Sequence, residues 1–258
     1  MVVAPRYGEG EAAGPTALAV AGAAGERARL GELEGAVLLR VRPRGGEHGA
    51  VAADRVAAGV GLRGGRVGGV DLYAEEAGIA VVIPEVQRSF YTDMRHGLPY
   101  FTYIAKELPD ICHRLFRISD KREDRMIAGL SMGGYGALKT AMTFPEQYRA
   151  AASFSGVAEL ASFIDLHTPE NRAIYDGRLG EENDLFALTA ALAADKEREK
   201  PQLYITCGLS DALYEGNAHY RAHLDALGYP YTYEEWEGGH SWEFWDASLK
   251  KAIPLLLK

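Results

Sequence analysis

The chain has 258 residues, 47% of them hydrophobic and 25% charged, which is enough to bury the core of one large α/β domain or two small ones. Its 28 Lys and Arg against 36 Asp and Glu give a net charge of -8, and no Lys/Arg cluster stands out. Nucleic acid is therefore not an expected partner, because phosphate binding needs a concentrated basic face.

Cys112 and Cys207 lie far apart without CxxC spacing. Neither a zinc site nor a disulfide framework is indicated, and both read as buried thiols in a reducing compartment. No apolar run approaches the roughly 18 to 20 residues of a membrane span. Residues 17–24 are too short and too rich in Ala and Gly for a signal peptide, and they follow Arg6, Glu9 and Glu11. The expectation is a cytoplasmic protein with no membrane partner and no metal; a homo-oligomer stays open.

Composition breaks near Asp71. Residues 1–71 contain no Ser, Lys, Ile, Asn, Gln, Phe, Trp or Cys, yet hold more than half of the 30 glycines. Within them, residues 35–41 read as a short strand and residues 25–33 as a marginal helix. Residues 42–70 have little periodicity, and many glycines with few large apolar side chains predict poor order or loose packing. The chain thus divides into an atypical segment, 1–71, and an α/β domain, 72–258.

After the break, residues 78–84 form an apolar run ended by Pro84, the pattern of a buried parallel strand. A polar, aromatic loop holding Phe90 and Tyr91 follows. Residues 100–116 read as an amphipathic helix with Ile104, Leu108, Ile111 and Leu115 on its apolar face and a kink at Pro109. A charged connector leads into the apolar run 125–130, then Ser131, with Gly129 and Gly133 two residues to either side, then a helical pattern to Met142. Residues 149–156 read as the next strand. The stretch 157–200 shows no obvious strand and one helix, capped near Asn183 or Asp184, over the mouth of the site. A strand at 201–207, a helix at 216–227 closed by Gly228, a strand at 231–236 and a helix from Trp242 to about Ile253 complete the chain. Such alternation implies a mainly parallel sheet with helices on both faces, which binds ligands at the carboxyl ends of its strands.

Ser131 between its two glycines, at a strand-to-helix turn, has the pattern of a nucleophile elbow. The helix that starts beside it aims free N–H groups at the place where negative charge develops in acyl transfer. The backbone N–H of Met132 is the oxyanion donor this motif supplies. A serine hydroxyl needs a base, and the base needs a carboxylate to fix its tautomer. Asp211 and His240 follow in the order serine, acid, histidine, each just past a predicted strand. Asp211 alone reads equally well as a helix cap. Of the other histidines, His113, His219 and His223 fall on predicted helices, while His48, His96 and His167 lack a strand-end setting.

Residues 73–84, 89–93, 129–138, Tyr214 and Glu215 after Asp211, and 239–243 together resemble the tributyrin esterase branch of the esterase D and S-formylglutathione hydrolase group of α/β-hydrolases. The resemblance covers roughly the last three quarters of the chain. It implies an α/β-hydrolase fold and a carboxylesterase that hydrolyses short-chain acyl esters, small molecules, without a cofactor. In that reading Ser131 is the nucleophile, His240 the general base and then acid, and Asp211 the residue that orients the histidine. The rivals are an S-formylglutathione hydrolase, a sugar-ester deacylase, an acyltransferase, or an inactive product.

One departure stands beside the resemblance. Relatives carry, before the segment matching Tyr73, an apolar strand ending in a His-Gly loop that supplies a second oxyanion N–H. Here His48 and Gly49 form such a pair but follow a charged loop instead of closing the strand. Lacking eight residue types, residues 1–71 have the composition of a GC-rich gene read in the wrong frame. They are expected to come from a frameshift or a mis-called start and to lack the family's first strands.

Overall fold

The computed structural model describes residues 35–40, 70–116 and 118–257. The expected helix at 25–33, nearly all of the 42–70 stretch and the His48-Gly49 pair lie outside them.

Strand β1, Gly35–Arg40, is followed by helix α1, Val70–Ala77, and strand β2, Ile79–Val82. Helix α2, Tyr100–Thr102, runs through a π-helical turn, Tyr103–Glu107, into α3, Leu108–Leu115. Next come β3, Arg125–Leu130, α4, Met132–Thr143, and β4, Ala150–Phe154. The β4–β5 connection holds α5, Leu160–Phe163, α6, Pro169–Tyr175, a 3-10 turn, Glu181–Asn183, and α7, Leu185–Ala194. The chain ends with β5, Gln202–Gly208, α8, Tyr214–Leu227, β6, Tyr231–Trp236, and α9, Trp242–Leu256.

The strands form one sheet in the order β2-β1-β3-β4-β5-β6. Strands β3 to β6 are parallel neighbours. β1 is antiparallel to both β2 and β3, so β2 points the same way as the parallel strands. Apolar side chains alternate between two cores, as the period-2 strand requires. On one face Ala80, Val82, Ile127, Ala151, Leu203 and Ile205 pack with Leu138 of α4, Leu192 of α7 and Leu224 of α8. On the other, Ile79, Val81, Met126, Ala128, Ala150 and Tyr204 pack with Ala74 of α1 and with Phe244, Trp245, Ala252 and Leu256 of α9. Both strand faces are covered, which is why these segments read as continuous apolar runs.

Two expectations are corrected. The helix over 100–116 is not one continuous α-helix but passes through a π turn just before Pro109. Its π turn, in which the Leu108 N–H reaches back to the Tyr103 carbonyl, takes up the ring just before it. The buried stripe is Ile104, Leu108 and Cys112, while Ile111 and Leu115 are exposed. The 157–200 stretch holds three helices where one was expected. The last of them is capped as predicted, with an Asp184 carboxylate oxygen accepting the Phe186 N–H at 2.9 Å.

Candidate active site

Strand β3 is apolar and buried between β1 and β4, and it delivers Ser131 to the start of α4. Ser131 adopts φ 52 and ψ -122, a conformation that L residues rarely hold without support. Support comes from the next strand: the Ser131 N–H donates to the Phe154 carbonyl at 3.0 Å, and the Ser131 carbonyl accepts from Val157 at 3.2 Å. A tight contact with the next strand is at Gly134. A Cβ there would lie 2.6 Å from Ser153 Oγ and 2.8 Å from the Gly156 Cα, so the elbow helix can press on β4 only without a side chain at this position. The sequence reading gave the steric role to Gly129 and Gly133 and missed Gly134, whose neighbour is remote in sequence.

Asp211 and His240 come from neighbouring strand ends. Gly208 closes β5, and a Cβ there would lie 2.3 Å from the Gly238 carbonyl. This close approach lets the two loops bind each other, with Leu209 N–H donating to Trp236 at 3.1 Å and Ser210 N–H to Gly238 at 2.9 Å. Asp211 and His240 are thereby brought together.

His240 Nδ1 lies 3.0 Å from Asp211 Oδ2 and 3.2 Å from Oδ1, and Nε2 lies 2.9 Å from Ser131 Oγ. A carboxylate at Nδ1 requires the proton there, which leaves Nε2 bare to accept from the serine hydroxyl. The Asp211 side chain is fully buried, whereas His240 stays a third exposed. Burial alone would raise the Asp211 carboxyl. Hydrogen bonds from His240 and the Leu213 N–H, with the Ser155 hydroxyl facing it, outweigh burial and hold it below its ordinary value. The indole of Trp245, on the first turn of α9, meets the imidazole edge-on with centroids 4.8 Å apart and fixes its plane. Neither Trp245 nor Ser155 was singled out from the sequence. An aromatic five residues past the histidine, on a predicted helix, was the available signal.

Met132, buried at the first position of α4, carries an N–H with no intrahelical acceptor. On the side of β3 opposite β4 lies β1. Gly35 pairs with Gly129 beside Ser131, and Leu39 pairs with Arg125 at the opposite end of β3. β1 therefore begins next to the serine and runs away from it. His113, His219 and His223 sit on helices, with Asp120, Glu159 and the Phe186 carbonyl beside them. Among the described residues no group of His, Cys, Asp and Glu is arranged to hold a metal ion, and no helix is long and apolar enough to cross a membrane. Cys112 and Cys207 are both free and buried.

Residues 79–256 match the family described as "Putative esterase". The chain belongs to that family. An acetyl esterase of Caldicellulosiruptor saccharolyticus is 30% identical over 199 residues, 70% of this chain and 72% of that protein. Among solved structures, the substrate-bound Staphylococcus aureus fluorophosphonate-binding serine hydrolase FphF is 34% identical with a TM-score of 0.69, covering 75% of this chain and 77% of its own. The S-formylglutathione hydrolase FrmB of the same organism is 33% identical with a TM-score of 0.67 over the same shares. The fold is that of the α/β-hydrolases, and the chain is a serine carboxylic-ester hydrolase of the esterase D-like group. β1 precedes the span matched to the family.

Proposed function

We propose that this esterase hydrolyses short-chain acyl esters through an acyl-enzyme on Ser131. The observation that carries the reading is the continuous path from Asp211 through His240 to Ser131 Oγ, with both links near 3 Å. His240 takes the hydroxyl proton as Oγ attacks the ester carbonyl, and returns it to the departing alkoxide. Water then repeats the cycle on the acyl-enzyme, with Asp211 stabilising the imidazolium each time. The Met132 N–H, at the positive end of α4, donates to the developing oxyanion. The substrate is a small ester and neither nucleic acid nor a membrane, in line with the net charge of -8. Two free thiols fit a cytoplasmic setting.

Similarity to an acetyl esterase supports a short acyl group. Similarity to FrmB favours a second reading, S-formylglutathione as the ester, which needs the same triad and a thiol leaving group. Turnover of p-nitrophenyl acetate and butyrate, of acetylated sugars and of S-formylglutathione, with and without an alcohol acceptor, separates these and the transferase alternative. Free acid from the oxygen esters supports the proposal. Turnover of S-formylglutathione alone overturns it in favour of the second reading.

A further inference from the structure

Lys139 is on α4, the same helix that presents Ser131, and it is 1% exposed. The triad makes no use of it. Its Nζ donates to Asn183 Oδ1 at 2.7 Å, the Tyr91 carbonyl at 2.8 Å and Thr92 Oγ1 at 3.3 Å. It also lies over the rings of Phe101 and Tyr135, 4.4 and 5.7 Å from their centroids. Three N–H donors thus meet three neutral oxygens. Burial pushes the amine down to about 7, against the through-space pull of Asp93 and Glu182. An ammonium held without a hydrogen-bonded carboxylate is an unfavourable choice for a core unless its three donors are needed there.

What they hold is a strained loop. Gln87, Phe90 and Tyr91 have φ of 51, 47 and 49, so three non-glycine residues close together in the β2–α2 loop occupy the left-handed region. Such conformations persist only where the surroundings impose them. The loop is tied across to the 3-10 turn of the β4–β5 connection, because Thr92 Oγ1 also lies 3.2 Å from Asn183 Oδ1. The turn is tied to the elbow helix, because the Tyr135 hydroxyl donates to the Asn183 carbonyl at 2.8 Å. Tyr135 returns the chain of contacts to the nucleophile: its N–H donates to the Ser131 carbonyl, and its ring meets Phe90 edge-on at 6.5 Å. Phe90 in turn meets Phe163 of α5 at 6.2 Å, and Phe163 is 51% exposed. Phe90 and Phe163 both follow carboxyl ends of strands, the rim of the sheet that holds Ser131, Asp211 and His240.

We propose that Lys139 is a positioning residue for ester specificity: it clamps the 87–93 loop and the Asn183 turn to the elbow helix, so that Phe90 and Phe163 form the apolar wall that receives the acyl chain. This rests on Ser131 being the acylated residue. A lysine suits the role because its stem crosses the apolar core while its tip supplies three donors. Methionine keeps the stem and removes the donors, and arginine keeps the charge in a planar fork that does not converge on the same three oxygens.

The test compares wild type, Lys139→Met and Lys139→Arg on p-nitrophenyl esters from acetate to octanoate, with fluorophosphonate labelling of Ser131 in parallel. The proposal expects Lys139→Met to label at Ser131 but to lose discrimination by chain length through KM, flattening the ratio between best and worst ester by about tenfold, the scale of a misfitted methylene. Lys139→Arg restores part of that ratio. Thr92→Val removes one acceptor at nearly constant volume and shifts the ratio the same way by less, which keeps the question open to measurement if Lys139→Met does not fold. A chain-length profile identical to wild type in the folded variants, with any loss uniform in kcat, overturns the clamp alone. Failure of wild type to label at Ser131 overturns the acyl-enzyme reading and this one with it.

Discussion

The sheet has two unlike halves. From β3 to β6 four parallel strands, covered on both faces, end at one rim, and the turns after β3, β5 and β6 supply Ser131, Asp211 and His240. On the other side of β3 lies β1, drawn from the compositionally unusual segment and running against both neighbours. The triad needs only the first half. The family resemblance implies a second oxyanion donor from the other half, where β1 begins at Gly35 beside Gly129 and runs away from the serine. The Ser131, His240 and Asp211 contacts and the Met132 N–H thus belong to the parallel half, and the two halves can be altered separately. We propose that residues 1–71 stem from a frameshift or mis-called start. Resequencing the gene, or the intact mass of natively expressed protein, checks this directly; an in-frame match to residues 1–71 contradicts it.

The largest expected effect lies in the parallel half. Ser131→Ala should lower kcat by about a million-fold while the circular dichroism spectrum is unchanged. Asp211→Asn keeps the geometry but favours the wrong histidine tautomer, and should lower kcat by roughly ten-thousand-fold. The opposite half sharpens the comparison by gain of function. Replacing residues 1–71 with the corresponding strand and His-Gly loop of an active relative should raise kcat by about a hundred to a thousand-fold, the worth of one oxyanion donor. No gain would mean that the present chain already supplies both donors. Gly134→Ala, which drives a methyl into Ser153 and Gly156, should cost about 1 to 3 kcal/mol in urea unfolding and slow turnover by displacing the elbow.

The smallest effect is a pH dependence of stability from Lys139. Its amine is lowered to about 7 in the folded chain from 10.5. Below pH 7 both folded and unfolded chains hold the proton, and the contribution is flat. Between about 7 and 10.5 the unfolded chain binds one proton more, so wild type should gain stability relative to Lys139→Met by up to about 1.4 kcal/mol per pH unit. Urea midpoints of the two proteins at a series of pH values read this difference. A wild-type stability that falls or stays level relative to Lys139→Met from pH 7 to 10.5 would mean the amine is not destabilised by burial.

Most of the parallel half was legible because its signals are local. β3 to β5 are largely apolar runs bounded by turns, β6 is an alternating aromatic and polar run, and each lies within about two residues of its expected limits, as does the helix closed by Gly228. That Ser131, Asp211 and His240 meet follows their expected order and strand-end spacing. What escaped depends on partners distant in sequence. An apolar run such as residues 35–40 has no arrow, so the antiparallel direction of β1 emerges only from its pairing with β2 and β3. The π turn before Pro109 moved the buried stripe to Cys112 and left Ile111 and Leu115 outside. α6 did carry a signature, Thr168 before Pro169 with its hydroxyl accepting the Asn171 N–H, but a short helix packed by its neighbours gives little periodicity. Lys139 looked like any lysine on a helix, since burial belongs to the fold and not to the residue.

Fluorophosphonate labelling followed by peptide mass mapping tests the central claim most directly, because only a serine activated by its base reacts. The account predicts a single adduct on Ser131 in the wild-type chain, none in Ser131→Ala, and a greatly slowed adduct in His240→Ala. An adduct on another serine, or labelling that ignores the loss of His240, would contradict it.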